Sequence, residues 1–129
     1  MKESQGFPRP DRPDDLNWAR FLSTHAPDSM AALANWLEAA KTRKELDRKS
    51  AEFIIIALNA YVAWPPPFID HHVHYAFDAG STVRELVEAV VTAGMLMGPH
   101  VLHNGLEAVE RVIEDRQRSG LPTPLKKGD

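Results

Sequence analysis

Cysteine is absent from the 129-residue chain. Disulfide bonds, cysteine-ligated zinc, iron–sulfur clusters and thiol catalysis are therefore excluded. An excess of positive charge is also absent, since 15 basic side chains stand against 18 acidic ones for a net charge of −3. This balance argues against a nucleic-acid-binding or anionic-membrane surface. The chain has no Gly-rich phosphate loop, HExxH or GxSxG motif, so nucleotide-binding, metalloprotease and serine-hydrolase classes have no support.

Long hydrophobic runs are missing as well. No stretch reaches the roughly 18 uncharged apolar residues of a membrane-spanning helix, and the first 15 residues lack the apolar core of a signal peptide. We therefore expect a cytoplasmic protein with no membrane and no nucleic acid among its partners.

The composition fits one globular domain, with 43% hydrophobic and 26% charged residues. Residues 1–15 carry three prolines among charges and no apolar periodicity, which predicts a flexible N-terminal arm. Residues 16–118 are predicted to form a single helical domain, and residues 119–129 a polar tail in solvent.

Apolar residues recur at helical spacing in stretches that prolines, glycines or charged links separate. Asp28 is predicted to cap the second stretch, Gly80 to end the fourth in a left-handed conformation, and Thr82 with Glu85 to open the fifth as a capping box. Pro99 suits the first position of the last. The sequence thus predicts an all-α, compact bundle of about six helices. These cover residues 16–22, 29–41, 50–64, 68–79, 82–97 and 99 onward.

The last two stretches each carry a stripe of large apolar side chains. In the last stretch this stripe, predicted to face the core, is Leu102, Leu106, Val109 and Ile113. In the fifth stretch the stripe of Leu86, Val90, Ala93 and Met97 is widened by further small and apolar residues. A helix that is apolar on more than one side predicts a subunit interface, and hence a homo-oligomer.

Five of the six histidines fall at 71, 72, 74, 100 and 103, on either side of the capped fifth stretch. At 100° per residue, His71 and His74 share one edge of their helix, while His72 points toward the packed side. Three interpretations remain open. Histidine can act in acid–base catalysis without a cofactor; the pairs His71, His74 and His100, His103 can bind a transition metal; or the histidines are structural.

Other candidate residues have ordinary alternatives. Glu52 is predicted to open the most apolar helix. It can serve there as an acid with a raised pKa, as a proton relay to a histidine, or only as a negative charge that the helix dipole favours in the first turn. Trp64 and Tyr61, beside the triple proline, line an aromatic pocket or fill the core. Arg84 is a candidate to bind a substrate carboxylate.

Several motifs resemble the carboxymuconolactone decarboxylase family and its alkylhydroperoxidase D-like relatives. They are LDRKSAEF at 46–53, an apolar helix and turn, HxxxAxxxG at 72–80, TVRELVE at 82–88 and a closing Gly-Pro at 98–99. The resemblance covers residues 22–116. It implies an all-α fold, assembly into trimers or hexamers, and an active-site histidine on a central helix pair.

Carried over residue by residue, the resemblance matches Glu52 to the family's helix-opening glutamate. His72 matches the family histidine when the end of its helix is kept in register, whereas counting from Glu52 selects His71; one inserted residue in the proline turn explains the difference. The two cysteines of the redox branch correspond to Pro65 and Phe68, which excludes peroxide reduction through a dithiol.

The expected function is therefore a cofactor-independent lyase of decarboxylase type, which acts on a small carboxylated or lactone metabolite, as in the breakdown of aromatic compounds. His71, His72, His74 and Glu52 are the predicted proton-transfer residues, and Trp64, Tyr61 and Arg84 the predicted substrate contacts. The alternatives are a histidine-ligated metal protein and a helical assembly or binding module without catalysis.

Overall fold

The computed structural model describes residues 17–42 and 45–129, in which all regular structure is α-helical. The predicted all-α class with six helices is confirmed. The predicted arm at residues 1–15 lies outside the described residues. The helices are α1 (Asn17–His25), α2 (Pro27–Lys41), α3 (Arg48–Val62), α4 (Pro66–Asp78), α5 (Val83–Met97) and α6 (Pro99–Arg118).

The chain divides into two compact units between residues 45 and 46. The first unit holds α1 and α2. Asp28 does not cap α2 as predicted, because Pro27 already occupies its first turn and the N-cap position falls on Ala26. Proline suits the start of a helix since its missing N–H has no helical partner there.

In the second unit, α3 and α4 form a hairpin in which each helix starts two residues before the predicted position and ends one or two residues before it. The Asp47 side chain accepts a 2.7 Å hydrogen bond from the Ser50 N–H, so α3 starts at Arg48. That hydrogen bond also lowers the pKa of Asp47. The triple proline was predicted to form only a turn, but Pro66 and Pro67 make the first turn of α4, where no N–H is needed.

The start of α5 follows the prediction. The Thr82 hydroxyl accepts a hydrogen bond from the Glu85 N–H at 3.1 Å, and the Glu85 carboxylate accepts one from the Thr82 N–H at 3.0 Å. The second carboxylate oxygen of Glu85 lies 2.9 Å from Lys49 Nζ and so ties α5 to α3. Lys49 and then the Thr82 N–H hold the pKa of Glu85 below its ordinary value. Gly80, with φ of 96°, ends the preceding turn as predicted.

Helix α6 packs against α3, α4 and α5, and the four residues of the predicted stripe all contact the core, three of them at its edge. Its fully covered face consists mainly of small residues: Val101, Gly105, Ala108, Val109 and Val112. Of the four predicted residues, only Val109 is buried; Leu102, Leu106 and Ile113 are half-buried. The bare Cα of Gly105 lies against Val90 of α5, and this close approach rotates the small face inward.

Part of the predicted polar tail is structured. The carbonyls of Pro124 and Leu125 accept hydrogen bonds from the Val83 and Arg84 N–H groups at the start of α5. Arg116, buried at the end of α6, donates to the Pro122 carbonyl at 3.2 Å and so fastens the segment that returns to α5. In the described part of the chain, no helix has the length and apolarity needed to cross a bilayer.

Candidate functional site

A glutamate and a histidine are paired inside the α3–α4 hairpin. Glu52 is fully buried, His72 is 8% exposed, and His72 Nδ1 lies 2.7 Å from Glu52 Oε2. Because α3 and α4 run antiparallel from one short turn, the second turn of α3 lies beside the middle of α4. A buried carboxylate next to an imidazole is costly to desolvate and is held by this short hydrogen bond.

The two alignments that the sequence left open select different histidines of α4. His72 reaches Glu52, whereas the His71 ring stacks against Tyr75 with centroids 5.9 Å apart. The register that keeps the end of α4 fixed, with one residue inserted in the proline turn, is therefore the one in which glutamate and histidine meet.

The hydrogen bond to Nδ1 determines what the imidazole can do. With Glu52 ionised, the Nδ1–H of His72 donates to the carboxylate, which leaves Nε2 as the nitrogen that exchanges a proton. About 10% of the His72 side chain remains exposed.

Aromatic rings lie before and after His72 on the same helix. Phe68 is one turn earlier in α4, and Tyr75 is one turn later, with its ring edge-on to the imidazole at 5.8 Å between centroids. The guanidinium carbon of Arg48 lies 5.2 Å from the centroid of the Tyr75 ring. The imidazole of the pair therefore has beside it an aromatic ring with a cation above that ring.

His74 lies in a different cluster. Its Nε2 is 3.1 Å from Asp115 Oδ2, and its Nδ1 is 3.4 Å from Nη1 of the buried Arg116, which also donates to Asp78 at 3.0 Å. These contacts join the end of α4 to the end of α6. The expected proton-transfer role of His74 therefore has no contact with the Glu52/His72 pair to support it.

His100 and His103 lie at the other end of α6. The His100 ring is 5.6 Å from that of Tyr61, and the exposed His103 is 3.4 Å from Glu107. Twelve or more residues of helix, about 18 Å, separate them from Asp115, which contacts His74. The four-histidine metal site is thus not assembled within one chain. Across residues 17–42 and 45–129, no three His, Cys, Asp or Glu side chains are grouped to hold a metal ion.

The predicted substrate contacts are only partly near the pair. Trp64 packs edge-on to Phe68, the residue one turn before His72 in α4, at 4.9 Å between ring centroids. Tyr61 instead contacts His100. Arg84 is exposed at the start of α5, and in the described part of the chain no hydrogen bond or ion pair links its guanidinium to the Glu52/His72 pair.

Two residues beside the pair were not singled out from the sequence. Arg48 lies four residues before Glu52 and Tyr75 three after His72, so helical spacing places each one on the same face as a member of the pair. That spacing was the available signal. It needed the pairing of α3 with α4 to acquire meaning.

Comparison with known proteins gives one informative match. No protein-family model matches the sequence, and no curated protein matches it. The structure is similar to the crystal structure of a proposed carboxymuconolactone decarboxylase from Burkholderia xenovorans LB400, with a TM-score of 0.67 and 22% sequence identity over 81% of each chain. The chain therefore has the fold of this decarboxylase-like protein, as the sequence motifs predicted.

Proposed function

We propose that the chain is a lyase of decarboxylase type that needs no cofactor and uses His72 as its acid–base group. The observation that supports this most directly is the buried hydrogen bond between Glu52 and His72, on the fold of a proposed carboxymuconolactone decarboxylase. The substrate class, a small carboxylated lactone, follows from that likeness and from the resemblance in sequence.

The proposed reaction breaks the bond between a carboxylate and the carbon that carries it. Carbon dioxide leaves, the electron pair is delocalised into the lactone carbonyl as an enolate, and His72 Nε2–H protonates the carbon. The imidazole then regains one proton from solvent. Glu52 does not touch the substrate in this scheme; it orients the ring and stabilises its protonated form until transfer.

The test is turnover by the purified full chain on a panel of γ-lactones that carry a carboxylate next to an unsaturated bond, with carbon dioxide release as the readout. His72→Gln removes the proton donor and is expected to lower kcat by about 10² or more. Glu52→Gln keeps the shape but not the charge, and we expect a smaller loss with an altered pH profile.

His103→Gln is the matched control, because it removes an exposed histidine of α6 that does not contact the pair. It is expected to leave kcat unchanged. Helical circular dichroism must remain at the wild-type level in all variants. Unchanged turnover in a folded His72→Gln variant would end the proposal.

The proposal includes the absence of a metal requirement, which elemental analysis of untagged protein tests. About one transition metal per subunit, lost in the His71→Ala and His100→Ala variants, would favour the metal hypothesis instead. Since the histidines of one chain do not converge, such a site would need ligands from more than one chain.

A further inference from the structure

The chain that follows α6, residues 119–125, returns to the start of α5 and is called the C-terminal segment below. Its Pro124 carbonyl accepts a hydrogen bond from the Val83 N–H at 2.8 Å. Its Leu125 carbonyl accepts one from the Arg84 N–H at 3.1 Å. The first N–H groups of a helix have no partner within the helix. These two are therefore protected from solvent only while the C-terminal segment stays in place.

Arg116 holds the C-terminal segment from the side of α6. The residue is 2% exposed, and its guanidinium carbon lies 5.1 Å from the centroid of the Phe77 ring. Its Nε donates to the Pro122 carbonyl at 3.2 Å, and its Nη1 donates to Asp78 at 3.0 Å. A buried cation is stable only while its hydrogen bonds are made. A change that displaces this guanidinium therefore also breaks its contact with the segment.

The imidazole of His74 lies against the same guanidinium. Its Nε2 is 3.1 Å from Asp115 Oδ2, and its Nδ1 is 3.4 Å from Arg116 Nη1. Because a guanidinium only donates, Nδ1 is the acceptor, and the proton of the neutral ring lies on Nε2, where it donates to Asp115. When the ring takes up a second proton, Nδ1 becomes a donor that faces another donor, and this contact becomes repulsive.

The charged groups around His74 balance one another while its ring is neutral. On α4 and α6 they form ion pairs between a carboxylate and a guanidinium at 2.9–3.4 Å: Asp78 with Arg116, Asp115 with Arg118, and Asp70 with Arg111. From α3, the further cation Arg48 lies over the ring of Tyr75, the residue after His74. A proton on His74 therefore gives this balanced set a net positive charge.

We propose that His74 is a pH-dependent latch that holds the C-terminal segment on α5 while its ring is neutral and releases it when the ring is protonated. In the neutral state Arg116 keeps its position and its hydrogen bond to the Pro122 carbonyl. In the protonated state the imidazolium repels the guanidinium, the bond to Pro122 is lost, and the segment leaves the start of α5. This inference does not rest on the proposed function.

The experiment measures amide hydrogen exchange in the full chain by nuclear magnetic resonance at about pH 5.5 and about pH 7.5, between which an ordinary imidazole changes its charge. Each rate is divided by the rate of an unstructured peptide at the same pH, which gives a protection factor. In the wild type, protection of the Val83 and Arg84 N–H groups is expected to be about 10-fold or more lower at the lower pH, the effect of losing a hydrogen bond to a charged group. The Leu86 N–H donates to the Thr82 carbonyl and not to the segment, so its protection is expected to stay the same.

Two variants identify the titrating group. His74→Gln keeps a hydrogen-bonding side chain but takes up no proton, so protection at the start of α5 is expected to be equal at both pH values. His103→Gln is the matched control, because it removes an exposed histidine at the other end of α6, and it is expected to show the wild-type fall. Glu85 stays ionised over this interval, since its pKa lies below its ordinary value, so the capping box does not contribute.

The latch is overturned if wild-type protection of Val83 and Arg84 does not change with pH, or if His74→Gln shows the same fall. A parallel loss at Leu86 also overturns it, because the start of α5 itself would then unfold. In the wild type alone, the midpoint of the fall must coincide with the titration of the His74 ring protons, and a different midpoint counts against the latch even if the variant does not fold. A fall that is confined to the two amides, absent in His74→Gln and retained in His103→Gln supports it.

Discussion

The contact between α5 and α6 predicts opposite effects for two glycine substitutions. A Cβ on Gly105 would lie 2.7 Å and 3.0 Å from the two methyl carbons of Val90, a fully buried side chain. A Cβ on Gly94 would lie 2.8 Å from a terminal carbon of Leu102, which is half-buried. The distances are similar, but only Leu102 can move away, because valine in a helix has essentially one χ1 rotamer.

The free-energy terms follow from this difference. Alanine in place of glycine within a helix is favourable by about 1 kcal/mol, and overpacking a rigid core costs about 1–3 kcal/mol. Gly105→Ala is therefore expected to reduce the free energy of unfolding by about 1 kcal/mol, within a range from about zero to about 2. Gly94→Ala is expected to be neutral or to raise it by up to about 1 kcal/mol. One kcal/mol corresponds to a Tm shift of about 3–5 °C in a chain of this length.

Urea unfolding followed by circular dichroism at 222 nm, at one protein concentration, measures both variants. The double variant Gly105→Ala, Val90→Ala provides the decisive control, because removing the valine methyl groups leaves room for the new one. We expect a coupling free energy of about 1 kcal/mol or more between the two sites. Additive effects, or a Gly105→Ala variant as stable as Gly94→Ala, would refute the close-packing argument.

Two further predictions concern pH and assembly. The folded-state pKa of Glu85 lies below that of the unfolded chain, so its contribution to stability is present above about pH 4.5 and is lost as the pH falls through the lower, folded value. In urea unfolding, Glu85→Gln should thus lower the free energy of unfolding by about 0.5–1 kcal/mol at pH 7 and by clearly less at pH 3. An equal difference between the variant and the wild type at both pH values would contradict this. Met95 and Leu96 of α5 are 81% and 92% exposed in the single chain, and we expect a homo-oligomer, a trimer or hexamer, that covers them. Sedimentation velocity should show a smaller species for Leu96→Asp but not for Glu110→Lys on the exposed side of α6; a wild-type monomer would disprove the assembly.

Local signals in the sequence predicted the existence of the helices and the exact position of several helix ends. The Thr82 capping box, the Gly80 terminus and the break before Pro99 involve only residues within one turn of each other, so their hydrogen bonds are determined by nearby sequence. The predicted first residues of α2 and α4 were wrong, because a proline can either end one helix or begin the next.

Apolar periodicity predicted only part of the face that α6 buries. Large side chains such as Leu102 suggested one stripe, but the helix turned its small residues inward because Gly105 permits close contact with Val90. The hydrophobicity of a side chain indicates how much apolar surface it can bury. How closely two backbones approach depends on the shapes of both helices.

In the candidate site, too, some features were predictable from the sequence and others depended on the tertiary structure. The sequence determined that the chemistry uses no thiol, that Glu52 lies on an apolar helix, and that histidines are concentrated near positions 71–74 and 100–103. Tertiary structure decided that His72, not His71, reaches Glu52, that His74 joins the cluster of Arg116, and that Arg48 comes close to the pair through Tyr75. The physical reason is that successive helix residues point about 100° apart, so neighbours such as His71 and His72 face different surroundings, while antiparallel packing brings together residues twenty or more positions apart.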